Sequence, residues 1–250
     1  HIHPFTGAKE GGWGWTDLPG AAPDADDTSG ALVALHILLD GVYCPEVGKG
    51  IEWLLDLQNK DGGMPTFCKG WGKLPFDRSS PDISAHSLLA FQLWMDVLPA
   101  DLQKRCKASQ QRMLKWMRKI QAADGSWTPL WFGDQDARDE RSPVYGTAMT
   151  VEYLAGFSES IAGDMARKGF DYLLSVQNPD GGWGGAKEVA SKGTLTARAL
   201  SAIAAWSSEF KVQSSKFRLQ VTACIPDPKL QHLVIEAMNR AFDYLYGMYK

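Results

Sequence analysis

The sequence predicts an all-α protein built from helical pairs that are arranged in a ring or arc. Two observations predict it. A short motif recurs at intervals of about 55–65 residues, and apolar helices of two kinds alternate between its copies. Each interval has room for two helices and their loops. Because a helical pair buries one face against the next pair, several copies are needed for a stable fold.

Each copy of the motif joins the end of an apolar helix to a Gln, an Asp-Gly turn and usually a Trp. Three complete copies begin at Lys49, Lys115 and Lys168, and residues 11–13 (Gly-Gly-Trp) look like the tail of a fourth. Glycine supplies the positive-φ turn after the helix. We expect the Gln amide to bond orphan backbone groups at a neighbouring helix end, with the Trp covering that junction. The motif is therefore predicted to be structural, not catalytic.

Eight helices of two kinds are predicted. Helices of the first kind follow the Gly-rich turns and contain small residues, which suit close packing in an inner layer. Helices of the second kind carry more charge and one apolar stripe, as outer helices do. A short alternating segment at 217–222 is expected to form a strand. The inner helices are placed at 28–40, 82–97, 146–157 and 193–207, and the outer helices at 46–58, 101–121, 160–177 and 229–248.

Composition and charge exclude some functions. The formal net charge of −3 gives no electrostatic footprint for nucleic acid, and no basic run indicates a patch for lipid headgroups. The four cysteines are scattered, which is typical of free thiols in a reducing compartment and favours a cytoplasmic location. No apolar run reaches the length of a membrane span, and no signal-peptide pattern is visible.

Three carboxylates crowd the entrance of the first predicted helix, at Asp24, Asp26 and Asp27. Asp and Thr28 are good N-cap residues, and the helix dipole favours carboxylates at this end, so capping is one interpretation. Three acids so close cannot all ionise without cost. Mutual repulsion raises at least one pKa, and burial raises it further. Because an acid that stays protonated at neutral pH can donate a proton, the stretch is also a candidate catalytic acid.

In this order, these motifs resemble those of the squalene–hopene and oxidosqualene cyclases, the class II terpenoid cyclases. The repeated motif resembles their Gln-Trp repeats, and residues 24–28 resemble their Asp-x-Asp-Asp protonation motif. The resemblance covers most of residues 9–207 and is to the C-terminal half of the family. It implies an α/α toroid, a partial or complete (α/α)6-type barrel. Residues 1–250 are then expected to form a single barrel domain of a longer cyclase, with a divergent segment and a final helix at 208–250.

Carried over residue by residue, the resemblance makes Asp26 the general acid. It would protonate the terminal double bond of squalene or a similar linear triterpene, while Asp24 and Asp27 would set its acidity. His86 ends a segment that resembles the family's Asp-x-x-x-His, whose His hydrogen-bonds the acid. Tyr145 stands in a Tyr-Gly-Thr segment whose Tyr belongs to the network around the acid. His86 as an ordinary core histidine and Tyr145 as a simple helix cap stay open.

The cations that follow protonation need a dry cavity lined by aromatic faces. The resemblance implies Phe67 and Trp131 as lining residues, although 134–142 looks like an insertion after Trp131 and Phe67 could equally be plain core. The leading interpretation requires no metal and no organic cofactor. Its implied partners are an apolar, squalene-like isoprenoid and a membrane surface to which the protein is peripheral.

Other functions stay open. A diterpene-type class II cyclase would act on a prenyl diphosphate and need a basic or magnesium-assisted site, which the sequence does not locate. A protein prenyltransferase β subunit would need zinc, for which Cys68 with Asp77 or His86 is a loose match. A non-catalytic lipid-binding or scaffold module would keep the repeats without turnover. The acidic cluster at 134–140 is expected to be a solvated loop, with a magnesium site as its alternative.

Overall fold

The computed structural model describes residues 2–3, 7–18, 21–66, 77–155, 157, 160–206, 213–215, 218–220 and 227–248. These residues contain eight helices, one at each predicted place, and the structure is 60% helical. The helices are α1 (Ala25–Leu38), α2 (Pro45–Leu57), α3 (Pro81–Trp94), α4 (Ala100–Ile120), α5 (Pro143–Leu154), α6 (Ser160–Ser175), α7 (Gly193–Trp206) and α8 (Pro228–Gly247).

Several helices begin earlier than predicted, and their first residues explain why. The fixed φ of proline suits the first helical turn, and its missing N–H is no loss there because the first N–H groups have no partner within the helix. α1 starts before the predicted Thr28 because Asp24 caps it. The helices that start at a proline are α2, α3, α5 and α8, at Pro45, Pro81, Pro143 and Pro228.

Four short strands form two antiparallel pairs. β1 (Met64–Pro65) pairs with β2 (Ser79–Ser80), and β3 (Gln213–Ser215) pairs with β4 (Arg218–Gln220). β4 lies inside the strand predicted at 217–222, while residues 217, 221 and 222 lie outside the described residues. The first pair closes the loop before α3, which carries His86.

The first compact unit, His1–Ile120, contains the helical pairs α1–α2 and α3–α4. The inner helices α1 and α3 pack closely through small side chains, and the hydroxyl oxygens of Ser29 and Ser87 lie 2.8 Å apart between them. The indole N–H of Trp94 donates to the Leu32 carbonyl at 2.9 Å, a second link between these helices. The outer helices α2 and α4 pack against each other and each against one inner helix. This packing fixes the acidic motif on α1 against His86 on α3.

The second compact unit, Gln121–Lys250, contains α5 to α8. α5 packs against α6 and α7, and α7 also packs against α8. The Trp127 indole lies so close to Gly169 of α6 that an added Cβ would stand 2.8 Å from the ring. Trp183 is fully buried and donates its indole N–H to the Leu173 carbonyl at 2.8 Å.

The repeated motif forms the same connection in each complete copy. The glutamine amide donates to the carbonyl of the turn glycine and to a carbonyl of the next outer helix. Both bonds measure 2.8–3.1 Å in all three copies. The turn glycines have positive φ as predicted, and Trp127, Trp183 and Met64 (which replaces the Trp of one copy) are fully buried. Within each unit, the motif holds the turn against the next outer helix.

The prediction that the glutamine bonds a neighbouring helix end is wrong. The accepting carbonyls belong to Ser109, Met165 and Ala237, which lie within α4, α6 and α8. A helical carbonyl already accepts one N–H, but its second lone pair can accept the glutamine amide. The glutamine amide therefore links the turn to the middle of the next outer helix and does not cap a helix end.

Substituting Gly181 by Ala is expected to destabilise the chain by about 2 kcal/mol or more. Gly181 has φ +88, and a Cβ would overlap the Arg240 carbonyl of α8. The matched control is Gly163→Ala in α6, where an added Cβ has nothing within 4 Å. It should be stabilising by about 0.5–1 kcal/mol, because alanine favours the helix. Urea unfolding of both variants measures the difference, and equal stabilities would contradict the proposed strain.

Candidate active site

The acidic motif is positioned by the Gly-Gly-Trp turn that precedes it. The Asp24 N–H donates to the Trp13 carbonyl at 3.1 Å, and the Trp13 N–H donates to the Thr28 hydroxyl at 2.9 Å. The same contact recurs where Thr147 and Thr196 accept the N–H groups of Trp127 and Trp183. In the copy that begins at Lys49 the Ser84 hydroxyl accepts the Met64 N–H at 2.8 Å, so this structural role of a hydroxyl recurs in every copy and is filled by threonine in three of the four.

Asp24 is the N-cap of α1. Its side chain is 8% exposed, and Oδ1 accepts the Asp27 N–H at 2.7 Å. Burial raises the pKa of Asp24 to about 8, and the neighbouring carboxylates of Asp27 and Asp26 add to the rise. The expectation that one of the crowded acids has a raised pKa is confirmed, and the residue is Asp24. Capping and proton retention thus coexist in one side chain.

Asp26 and His86 meet across the α1–α3 contact. The His86 Nδ1 lies 2.7 Å from the Asp26 Oδ1, within hydrogen-bond distance. Gly30, one turn after Asp26, faces the imidazole, and a Cβ there would be in ordinary van der Waals contact with it, 3.5 Å from the His86 Cε1. The Asp26 side chain is 42% exposed and that of His86 is 13% exposed. One face of the acid is held by the histidine while the remainder stays accessible.

Asp82 is the Asp of the segment that resembles Asp-x-x-x-His, but sequence reasoning assigned a role only to the His of that segment. It lies one helical turn before His86, is 2% exposed and accepts a hydrogen bond from the Ser80 hydroxyl. Burial raises its pKa, and the charge of Asp26 contributes in the same direction. Its burial beside the acidic motif depends on how α3 packs against α1, so only the fold reveals it.

The other predicted site residues are distributed as follows. Asp24, Asp26, Asp27 and His86 lie together in the first unit. Tyr145 and Trp131 belong to the second unit, where the Tyr145 ring lies 4.8 Å from that of Phe132 and Trp131 is 51% exposed. Phe67 lies outside the described residues. The chemistry of the site can therefore be built only from the acidic cluster and His86.

The expectation of a solvated acidic loop at 134–140 is wrong for Asp134, which is 4% exposed. Its carboxylate accepts the Lys192 ammonium at 2.5 Å and the Gly185 N–H at 2.9 Å. Burial alone would raise the pKa of Asp134, but these hydrogen bonds outweigh it and lower the pKa, while the carboxylates of Asp134 and Asp136 raise that of Lys192. The fold places the carboxylate against a lysine 58 residues away, a pairing that composition cannot reveal.

The two metal hypotheses gain no support from the described part of the chain. No group of three or more His, Cys, Asp and Glu side chains there could hold a metal ion. Asp134 and Asp136 both pair with Lys192, at 2.5 and 2.7 Å. Cys68, which the zinc hypothesis needs, lies outside the described residues.

Asp24→Asn is expected to stabilise the folded chain near pH 8 by up to about 5 kcal/mol, and to have little effect near pH 4. Between the unfolded pKa and the folded value of about 8, the folded chain keeps a proton that the unfolded chain has lost. The free energy of unfolding of the wild type therefore falls as pH rises through that window. Asn cannot ionise and still offers an oxygen for the cap.

Urea unfolding at pH 4, 6 and 8 measures this difference, with the exposed Asp96→Asn as control. The control removes the same formal charge and should stay within about 0.5 kcal/mol of the wild type at each pH. A stability difference for Asp24→Asn that does not grow with pH would contradict the raised pKa.

Comparison with known proteins identifies the family. The family model for the squalene-hopene cyclase C-terminal domain matches residues 5–209. Enfumafungin synthase from Hormonema carpetanum is 27% identical, over 96% of this chain and 19% of that protein. A probable squalene–hopene cyclase from Sinorhizobium fredii is 27% identical, over 70% of this chain and 28% of that protein. A copalyl diphosphate synthase from Streptomyces cyslabdanicus is 28% identical, over 66% of this chain and 27% of that protein. The chain spans less than a third of the length of these relatives.

Solved structures show the same fold. The ent-copalyl diphosphate synthase from Streptomyces platensis matches with a TM-score of 0.68 at 23% identity, over 96% of this chain and 38% of that one. The type II terpene cyclase MstE from Scytonema matches with a TM-score of 0.63 at 18% identity, over 95% and 58%. The predicted all-α fold of the α/α-barrel class is confirmed. The chain belongs to the squalene-hopene cyclase C-terminal domain family, and hence to the class II terpene cyclases.

Proposed function

We propose that this chain carries the proton-donating site of a class II isoprenoid cyclase, with Asp26 as general acid and squalene or a similar linear triterpene as substrate. The observation that carries the proposal is the 2.7 Å contact between Asp26 and His86, made across two closely packed inner helices. Capping does not explain this contact, because the N-cap of α1 is Asp24 and Asp26 lies within the first turn. We further propose that residues 1–250 act as one domain, whose segment 208–250 diverges from the family.

The proposed step transfers one proton. The O–H bond of the neutral Asp26 carboxyl breaks, and the π electrons of the terminal double bond form a new C–H bond at its less substituted carbon. A tertiary cation and the Asp26 carboxylate result. The π electrons of the next double bonds attack in turn and form the rings, until a proton is lost or water adds. No electrons leave the substrate, so this cyclisation involves no net oxidation or reduction.

His86 would act on this step through charge. An alkene is a very weak base, so the acid must be strong, and a charged imidazole beside Asp26 Oδ1 favours the carboxylate that remains after transfer. A neutral Asp24 helps in the same direction, because a second negative charge beside Asp26 would weaken the acid. Tyr145 is proposed to belong to the network around the acid, with Phe67 and Trp131 lining the cavity.

A prenyl diphosphate is the second candidate substrate, and the similarity to a copalyl diphosphate synthase is the observation that favours it. Incubating the full-length protein separately with squalene and with a C20 prenyl diphosphate, followed by product analysis, decides between the two. Cyclised hydrocarbon from squalene supports the triterpene proposal. Cyclised product from the diphosphate alone overturns it, and no product from either favours the non-catalytic module.

The proposed substrate implies where in the cell the protein works. None of the described helices combines the length and apolar character that a membrane crossing needs. A linear triterpene is almost insoluble in water and partitions into bilayers. We therefore propose a cytoplasmic protein that associates peripherally with a membrane surface to meet its substrate.

A further inference from the structure

The outer helix α4 concentrates positive charge. It carries seven Lys and Arg side chains and a single acidic one, Asp101, within 21 residues, in a chain whose formal net charge is −3. Two of these cations have partners in the same unit. Arg105 lies 3.3 Å from Asp56, and Arg112 donates to the Gln58 amide oxygen. The other five are exposed and have no ionic partner among the described residues: Lys104, Lys107, Lys115, Arg118 and Lys119.

These five residues, the basic stripe, share one face of the helix. Successive members are separated by three, eight, three and one positions, and at about 100° per residue all five lie within an arc of roughly 120° of the helix surface. From Lys104 to Lys119 the stripe is about 22 Å long, at 1.5 Å per residue. Leu102, Cys106, Met113 and Met117 lie on the opposite face and are buried. The stripe is therefore the solvent-facing side of α4.

The five cations of the basic stripe do not form a continuous run in the sequence. For this reason the sequence indicated no patch for lipid headgroups. Between Lys107 and Lys115 the sequence reads Ala-Ser-Gln-Gln-Arg-Met-Leu, and only Arg112 there is charged. When the segment folds into a helix, the intervening apolar residues face the core and the cations lie on the opposite side. The positive face exists only at the level of the helix.

We propose that the basic stripe docks the protein on the headgroups of an anionic lipid membrane. A band of cations on one side of an outer helix can lie along a flat negative surface, and each cation near such a surface strengthens binding about fivefold. Stacking on nucleic-acid bases needs exposed aromatic rings, whereas the single aromatic residue of α4, Trp116, is buried. A peptide partner would need apolar anchor sites, and the apolar side of α4 is already occupied by the core.

The choice of a membrane rests on the proposed triterpene substrate, which reaches an enzyme from a bilayer. The charge geometry is independent of turnover, however. Docking can therefore be measured without substrate, and its outcome is separate from that of the cyclisation assay.

Co-sedimentation of the full chain with lipid vesicles tests the proposal. We expect binding to phosphatidylcholine vesicles that contain about 30% phosphatidylserine, weak binding to pure phosphatidylcholine, and release as salt shortens the Debye length. The triple variant Lys104→Gln, Lys115→Gln, Arg118→Gln should bind the anionic vesicles about 100-fold more weakly. The control triple Lys168→Gln, Lys187→Gln, Lys229→Gln removes the same charge from exposed positions of the second unit and should bind within about threefold of the wild type.

Far-ultraviolet circular dichroism and thermal unfolding check that both triple variants are folded, which is expected because every substituted side chain is exposed. Equal losses in the two variants, or equal binding of the wild type to neutral and anionic vesicles, would overturn the proposal. So would stripe-dependent binding to duplex DNA without binding to anionic vesicles, since it would assign the stripe to another polyanion.

Discussion

Replacing Asp26 by Asn is expected to reduce cyclisation by the full-length protein about 10³-fold or more. Asn cannot release a proton from the side chain, and the substrate's double bond is too weak a base to take one from water. The replacement keeps the shape of the side chain and an oxygen that can face the His86 ring at the 2.7 Å contact. The fold should therefore survive, and the loss should appear in kcat rather than in KM. Product formation from squalene under single-turnover conditions measures the effect.

Asp17→Asn is the matched control, because Asp17 is exposed and lies before the motif in the same unit. It should cyclise at the wild-type rate. His86→Phe should fall between the two, by about 10²-fold, because the acid remains while the imidazole that contacts it is lost. Equal rates for the wild type and Asp26→Asn would refute the assignment of the acid. Unequal unfolding midpoints of these two proteins would instead indicate a structural effect.

Replacing Asp134 by Asn is expected to destabilise the chain by about 2 kcal/mol at pH 7, because a buried carboxylate that accepts several hydrogen bonds is lost. The carboxylate accepts the ammonium of Lys192 and the N–H groups of Gly185 and Asp136. The amide that replaces it is neutral and brings an NH2 group toward these donors. Urea unfolding of the two proteins measures the loss.

Asp139→Asn is the control for this experiment. Asp139 lies 3.5 Å from Arg141 in the same loop, but both side chains are more than 60% exposed, so the effect should stay below about 0.5 kcal/mol. pH provides a second check. The folded pKa of Asp134 is lowered, so its contribution is complete above the unfolded pKa and is lost as pH falls through the folded value. A difference between wild type and Asp134→Asn that persists unchanged at pH 2 would rule out the ion pair as its source.

Much of the local structure could be predicted from the sequence, because its causes are local. Helix periodicity, glycine turns and caps depend on residues within a few positions of one another, and all eight helices lie where the pattern placed them. The predicted starts of several helices were too late, because a proline or the Asp24 N-cap begins the helix before the apolar pattern does. The repeats also predicted the class of fold, because helical pairs at a fixed interval must bury their faces against each other.

The candidate active site could be predicted from the sequence only in part. The crowding of Asp24, Asp26 and Asp27 is visible in the sequence and predicted that one pKa is raised. The sequence could not show that burial assigns this shift to Asp24, or that Asp82 is buried beside the cluster, because exposure depends on the surrounding helices. The partnership of Asp26 with His86 was expected only from family resemblance, since the two residues are 60 positions apart.

By itself, then, the sequence determined the helices, the repeat and the presence of an acidic cluster at a helix entrance. The tertiary structure decided which acid keeps its proton, which imidazole meets Asp26, and that Asp134 is paired with Lys192 instead of being solvated. The physical reason is that helix formation and capping are governed by neighbours along the chain. Burial and charge pairing are governed by neighbours in space, which only the packing of distant helices and loops supplies.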